Sequence, residues 1–412
     1  MSPLSTFCKS LRCRVCEREY PLEAVGVCAR CFGPLDPTYD KNALRRSLTR
    51  EAIAAGPQSL WRYAPLLPVA PAAEPRLAPG LTPLVAAPRL ASAVGVGSLY
   101  LKLDTANPTH SFKDRVVAVA AAKALELGVE TLACSSTGNL ANAVAARAAA
   151  EGIEAVVFCP AGLEPEKLVA TAVHGATIYA VDGSYDDCSR LTVELSFELG
   201  WAFVNVGLRS YYAEGSKTLA FEIAEQLGWE LPDVVVGPIA SGALYSKVHQ
   251  GFEELREVGL AEGTRPRLYG GQAEGCAPVA SAFAEERRVT PLKPRTVAHS
   301  LAIGNPADGD LALATAKASG GAIYAVPEEE IGENMALLAE TGGIFGETAA
   351  GVTLGALREA VRRGVVEERD RVVLLVTGDG LKTPQLVSAR VRPIEVESDA
   401  DAVLERLGVT VS

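Results

Sequence analysis

The sequence has no surplus of positive charge. Its 39 lysine and arginine residues stand against 50 aspartate and glutamate residues, a formal net charge of −11. A nucleic-acid backbone or an anionic membrane needs basic surface, so neither is expected as the main partner, and small molecules become the expected ligands. No apolar run is long enough to cross a bilayer, and the first residues, MSPLSTFCKSLRCR, lack the apolar core of a signal peptide. A cytoplasmic protein is expected. The cysteines do not make an even set: there are nine, which in a cytosolic setting disfavours a disulfide framework and favours metal binding or buried thiols. Tandem repeats and low-complexity tracts are missing as well. What remains is a globular composition, 48% hydrophobic over 412 residues, sufficient for sizeable cores in about two to four domains.

Four of the cysteines are patterned. CRVCEREYPLEAVGVCARC places Cys13, Cys16, Cys28 and Cys31 as two CxxC knuckles separated by eleven residues. Each knuckle presents two thiolates, and four thiolates close the tetrahedral sphere of one Zn²⁺, which makes such a site structural. The alternative is four free thiols. Cys8, Cys134, Cys159, Cys188 and Cys276 fall outside the pattern and read as small buried hydrophobes.

Residues 62–88 are proline-rich and read as an extended arm. From Leu99 onward short apolar runs alternate with helical stretches: SLYLKL before a helix over 111–127, TLACS before 139–151, AVVFCP before 164–174, ATIYAV before 184–199, WAFVNV before 214–228, DVVVGPI before 242–257, then RLYGGQ and, late in the chain, VVLLVTGDG. Such alternation predicts an α/β protein whose parallel sheets are covered on both faces, with ligands at the carboxyl ends of the strands.

The loops at those strand ends carry the chemistry. In NPTHSFKDRVVAVAAAK, Ser111 and Asp114 form a Ser-x-x-Asp box, so Ser111 is the expected N-cap and Lys113 sits in the first helical turn. A helix N-terminus carries roughly +0.5 charge and disfavours an ammonium there. Lys113 is therefore either an amine held ready for Schiff-base chemistry or an ordinary solvated lysine. SSTGN (residues 135–139) sets hydroxyls, a glycine and free N–H groups at the next helix start, a cradle for a carboxylate or phosphate, or a plain helix cap. The loop Ala240, Ser241, Gly242, Ala243, Leu244 is small enough for a phosphate to approach its N–H groups. Thr377 ends the last strand, and Gly378 and Gly380 bracket Asp379 in what reads as a turn.

Taken in order, NPTHSFKDR, SSTGN, YYAEGSKT (211–218), ASGAL, SLAIGNPADG (300–309), GGIFGETAAG (342–351) and TGDGLK (377–382) resemble the pyridoxal-phosphate enzymes of the tryptophan synthase β-like class, and within it the threonine synthase family. The resemblance covers nearly the whole chain. It implies the fold type II architecture: two open, mostly parallel, doubly wound sheets, here with a small N-terminal zinc-ribbon-like segment. The corresponding division is a ribbon-like segment over 1–40, an N-terminal arm over 41–80, a large cofactor-binding domain over 81–100 and 205–395, a small mobile domain over 101–204, and a tail over 396–412. Pyridoxal 5′-phosphate is the implied cofactor. Lys113 is implied to bond its aldehyde, Asn139 to meet its ring hydroxyl, the backbone of Ala240, Ser241, Gly242, Ala243 and Leu244 to hold its phosphate, and Thr377 to face its ring nitrogen. Ser136, Thr137 and Gly138 are implied to take the substrate carboxylate.

The chain departs from the family pattern in three places. ASGAL is poorer in glycine and asparagine than the usual phosphate loop. His110 stands where glycine is common and is read as a surface residue. Tyr212 stands where the family has an arginine for the substrate phosphate, and Arg209, three residues earlier, is the nearest candidate. The implied reaction converts O-phospho-L-homoserine and water to L-threonine and phosphate, in a homodimer whose structural zinc lies apart from the cofactor. The alternatives are a serine/threonine ammonia-lyase or cysteate-type synthase, and a zinc-ribbon binding module on a degenerate enzyme fold. The short tail leaves no room for a regulatory domain of the kind many threonine deaminases carry.

Overall fold

The computed structural model describes residues 6–69, 76–136, 138–163, 165–183 and 185–408. At the N-terminus, β1 (Cys8–Cys13) pairs antiparallel with β2 (Glu19–Tyr20) and with β3 (Leu35–Tyr39), giving a three-stranded ribbon in the order β2-β1-β3. Leu11, Cys13, Cys28 and Leu35 are buried in the same hydrophobic core as the helix that follows Lys113, so the ribbon is packed onto the body of the protein.

The segment read as an extended arm is partly helical. Asp40 and Thr49 accept hydrogen bonds from Ala43 N–H and Ala52 N–H, capping the short helices Lys41–Ser47 and Arg50–Ala54. A 3-10 helix, Leu60–Leu66, follows and is buried along its whole length, with Ser59 as its cap. Composition was read as an extended arm; Leu60, Trp61, Tyr63 and Leu66 instead supply core from a helical turn.

The remaining strands are β4 (Leu84–Ala86), β5 (Ser98–Leu103), β6 (Thr131–Ser135), β7 (Glu154–Pro160), β8 (Thr177–Val181), β9 (Ala202–Phe203), β10 (Val234–Pro238), β11 (Arg267–Ala273), β12 (Ala322–Val326) and β13 (Arg371–Val376). They form two sheets. One has six strands in the order β12-β11-β10-β13-β5-β4, parallel except for the edge strand β4; the other has four parallel strands in the order β8-β7-β6-β9. β10 and β6 are buried at every residue, as strands covered on both faces must be. Strand β5 is continuous across residue 100 and pairs wholly with β13 and β4, so the chain leaves the large sheet after Leu103, three residues beyond the division read from sequence. WAFVNV contributes only the two-residue β9, while β4 and β12 escaped the sequence reading.

Chain order reverses between β10 and β13. From β10 the chain steps outward to β11 and β12, whereas β13 leads to β5 and β4, so the crevice at the carboxyl ends of β10 and β13 is the topological switch point where such sheets bind ligands. The helix expected over 214–228 forms as Lys217–Gln226, and a short helix that the sequence reading did not include, Arg209–Glu214, precedes it. Gly215 between them lies against the helix Lys113–Glu126; a Cβ there would stand 2.7 Å from the Arg115 carbonyl oxygen, so the chain touches that helix through backbone. No helix among the described residues is long and apolar enough to cross a membrane.

Candidate active site

Lys113 sits in the first turn of its helix as expected, but the residue at the cap position is Phe112 and not Ser111; Ser111 Oγ accepts from Lys113 N–H at 3.3 Å. The box does not close on itself, however. Asp114 turns back to accept from both the N–H and the hydroxyl of Thr109, each at 2.9 Å, which fixes the loop ahead of the helix. Burial raises the Asp114 carboxyl above its ordinary value against these two donors. His110 is exposed and adopts a φ of +58°, a left-handed conformation that glycine takes without strain. Phe112 N–H donates to the Thr377 carbonyl at 2.8 Å and Ser111 bridges Gly378, so the start of the Lys113 helix is fastened to the end of β13.

The Lys113 Nζ donates to the Tyr212 hydroxyl at 2.9 Å and lies 5.5 Å from the Phe112 ring centroid. Thr377 is buried, and its side chain makes no hydrogen bond among the described residues. Asp379 is occupied otherwise: its Oδ1 accepts from Leu381 N–H at 2.8 Å and caps a 3-10 turn.

Asn139 opens the helix Asn139–Glu151 after β6. Its Nδ2 donates to both oxygens of Glu347 at 3.1 Å, and its Oδ1 accepts from Lys382 Nζ at 2.6 Å; Lys382 also donates to the Thr109 carbonyl at 2.7 Å. Burial raises the Glu347 carboxyl above its ordinary value against the Asn139 donor and the nearby Lys382 and Lys113 charges, and burial lowers the Lys382 ammonium. Both shifts favour the uncharged forms. Ser136 is buried, and its Oγ accepts from Gly138 N–H at 3.3 Å. A Cβ at Gly138 would meet nothing within 4 Å, so open space lies beside this loop. Thr137 lies outside the described residues.

The loop after β10 is shaped by Gly242, whose φ is +93° and whose Cβ would stand 2.5 Å from the Asp308 carbonyl oxygen. Asp308 N–H donates to the Ser241 carbonyl at 2.8 Å. Among the described residues the N–H groups of Ser241, Gly242 and Leu244 have no acceptor, although they start the fifteen-residue helix Ala243–Glu257. This donor set fits a phosphate at a helix N-terminus. Arg209 donates from Nη2 to Asp308 Oδ2 at 2.5 Å, which puts its guanidinium beside the loop. Arg209 and Tyr212 lie one turn apart on the same short helix, so that helix joins the Lys113 amine to the anion-binding loop.

Lys113, Asn139, Thr377, Arg209 and the 240–244 loop are thus brought to one crevice by the segments that follow β5, β6, β9, β10 and β13. Tyr212, Glu347, Lys382 and Asp308 belong to the same cluster but were given no role from sequence. Each stood inside a recognised motif; what was missing was the partner across the crevice.

The four patterned cysteines also converge. Their Sγ atoms all lie within 4.8 Å of one another, with Cys13–Cys31 and Cys16–Cys28 at 3.5 Å. Val15 N–H donates to Cys13 Sγ and Arg30 N–H to Cys28 Sγ, the first sulfur of its own knuckle, each at 3.4 Å, and the Tyr20 hydroxyl lies 3.0 Å from Cys28 Sγ. Such donors stabilise thiolates, and four sulfurs at this spacing fit one tetrahedral ion. The ribbon is not wholly apart from the crevice, however. Arg14, inside the first knuckle, donates to Asp308 Oδ1 at 2.8 Å.

With this geometry in view, the chain belongs to the pyridoxal-phosphate-dependent enzymes: a family model described as "Pyridoxal-phosphate dependent enzyme" matches residues 75–378. Among curated relatives, the threonine synthase of Methanosarcina acetivorans is 37% identical over 403 residues, covering 96% of this chain and 98% of its own. That of Methanocaldococcus jannaschii is 35% identical over 401 residues, with the same coverage of 96% and 98%. Among solved structures, maize serine racemase superposes with a TM-score of 0.63 at 20% identity, covering 76% of this chain and 93% of its own, and speaks to the fold alone.

Proposed function

We infer that the protein converts O-phospho-L-homoserine and water to L-threonine and phosphate, as a pyridoxal-phosphate-dependent lyase. The observation that carries this reading is the pairing of Arg209 with the Lys113–Tyr212 contact on one short helix. It sets a cation for a second, substrate-borne phosphate beside the reactive amine and the loop suited to the cofactor's own phosphate. The threonine synthases that match nearly the whole chain support the same assignment.

When bound, the cofactor supplies an electron sink for the negative charge formed at the substrate Cα. The chain's own residues do the rest. Lys113 Nζ, steadied by the Tyr212 hydroxyl, takes the protons from Cα and then Cβ, and after phosphate has left it returns protons to Cγ and to Cα. Arg209 holds the phosphate that leaves Cγ, and water then adds at Cβ. The Ser136–Gly138 loop, with Thr137, takes the substrate carboxylate. Asn139 would hold the cofactor's ring hydroxyl, and Thr377 would partner its ring nitrogen through a hydroxyl that brings no charge. Cys13, Cys16, Cys28 and Cys31 hold one structural zinc. The protein works as a cytoplasmic homodimer in which the segment around β6–β9 moves against the larger sheet.

A substrate panel tests the reading. Phosphate release from O-phospho-L-homoserine, matched by threonine and without ammonia or oxo-acid, is the expected result. Ammonia and oxo-acid from serine or threonine as the main products would replace it with an ammonia-lyase.

A further inference from the structure

Asp308 is held from two sides. Its side chain is 3% exposed; one oxygen accepts from Arg209 Nη2 at 2.5 Å, the other from Arg14 Nη1 at 2.8 Å. Its backbone is part of the anion-binding loop's wall, through the N–H given to Ser241 and the carbonyl oxygen packed against Gly242. Arg14 itself is clamped: Nε and Nη2 donate to the two oxygens of Asp36 on β3 at 2.5 and 2.8 Å. Asp36 also accepts from Lys247 at 2.9 Å, on the helix that starts at the loop. A residue between two knuckle cysteines is therefore wired to the residue that orients Arg209.

We propose that Arg14 is a positioning residue for the substrate phosphate, acting through Asp308 on Arg209. The proposal rests on the reading of Arg209 as the ligand of that phosphate. The physical argument is one of shared charge. With Arg14 present, two guanidiniums divide one buried carboxylate, so Arg209 keeps positive charge for an incoming anion while its guanidinium plane stays fixed. Without Arg14, Asp308 has only Arg209 to satisfy it; that pair is closer to neutral and is free to turn as a unit. The N-terminal ribbon then contributes to substrate recognition and does more than cover a surface.

The test compares Arg14→Gln, Arg14→Lys, Arg209→Gln and the double variant Arg14→Gln plus Arg209→Gln as holoenzymes. The measurements are KM and kcat by phosphate release, and the dissociation constant of inorganic phosphate read from the cofactor's visible absorbance. Arg14→Gln is expected to raise KM and the phosphate dissociation constant about tenfold, with kcat changed less than KM. Arg14→Lys, which keeps the charge, is expected to restore part of that loss and serves as the folded variant if Arg14→Gln does not accumulate. The double variant should bind phosphate no worse than Arg209→Gln alone, because Arg14 acts only through Arg209. Additive losses, or an Arg209→Gln that raises KM while neither Arg14 variant does, would overturn the proposal and leave the phosphate-site reading intact. An Arg209→Gln with unchanged KM would overturn both.

Discussion

Replacing Thr377 by valine should weaken cofactor binding while leaving the cofactor-free protein as stable as before. Thr377 is 7% exposed, its carbonyl anchors Phe112 N–H at 2.8 Å, and its hydroxyl makes no hydrogen bond among the described residues. Valine keeps the branched shape and the backbone bond, and no protein hydrogen bond is lost, so the apoprotein should change by less than about 0.5 kcal/mol. With the cofactor bound, the ring nitrogen loses its one hydroxyl partner, a net hydrogen bond of about 1 kcal/mol, or roughly fivefold in affinity, with turnover falling at least as far. Asp379→Asn is the control. Asp379 spends its Oδ1 on Leu381 N–H, and asparagine caps as well as aspartate, so this variant should lose no more than a few tenths of a kcal/mol, roughly twofold or less. The assay is titration of apoprotein with pyridoxal phosphate followed by visible absorbance, with denaturant melts of the apoproteins alongside. A larger loss in Asp379→Asn than in Thr377→Val would place a carboxylate at the ring nitrogen and refute the reasoning. An apoprotein destabilised by Thr377→Val would show that the hydroxyl has a structural role.

Lys113→Ala should abolish both turnover and the cofactor's visible absorbance; a surviving absorbance band would assign the covalent bond to another lysine, for which Lys382, bonded to Asn139, is the candidate. Cys13→Ser combined with Cys16→Ser should remove one zinc per chain by metal analysis, and it should also raise KM if the first knuckle positions Arg14; unchanged metal content would make the knuckles vestigial. Glu347→Gln should flatten part of the apoprotein's pH dependence. Because burial raises the folded Glu347 carboxyl above its unfolded value, the folded protein holds that proton longer, so stability contributed by Glu347 is present below about pH 4 and is lost as pH rises through the folded value. Denaturant melts of wild type and variant across pH 4 to about 8 should therefore diverge, the variant gaining relative stability at the upper end, and parallel curves would contradict the shift.

The fold was legible in this sequence where one element's own pattern decided it. β6, β10 and β13 are short, mostly apolar runs covered on both faces, Val- and Leu-rich in β10 and β13, and each ends in small or hydroxyl residues that begin a helix or a turn, so strand, loop and site could be read together. It was illegible where tertiary contact overruled composition. The proline-bearing stretch around Leu60–Leu66 is a buried 3-10 helix because its apolar residues have a core to enter. The short helix Arg209–Glu214 ahead of the expected one was also missed; Gly215 after it lies in backbone contact with the Lys113 helix, through residues about a hundred positions away.

The same distinction separates the site residues. Lys113, Asn139 and Thr377 are first residues after a strand or in a helix, so chain direction alone aims them at the crevice. Glu347, Lys382, Tyr212 and Asp308 acquire their roles only from each other and from distant partners. Glu347 meets Asn139 across 208 residues of sequence, Lys382 meets it across 243, and Arg14 meets Asp308 across 294. No periodicity encodes such pairs. It is the structure that shows why they exist: an acidic residue in GETAAG and another in NPADG stand at buried sites, where a carboxylate is tolerated only if donors surround it. The donors are Asn139 in one case, itself held by Lys382, and two arginines in the other. Replacing any one of these donors should be felt at the carboxylate before it is felt in the fold.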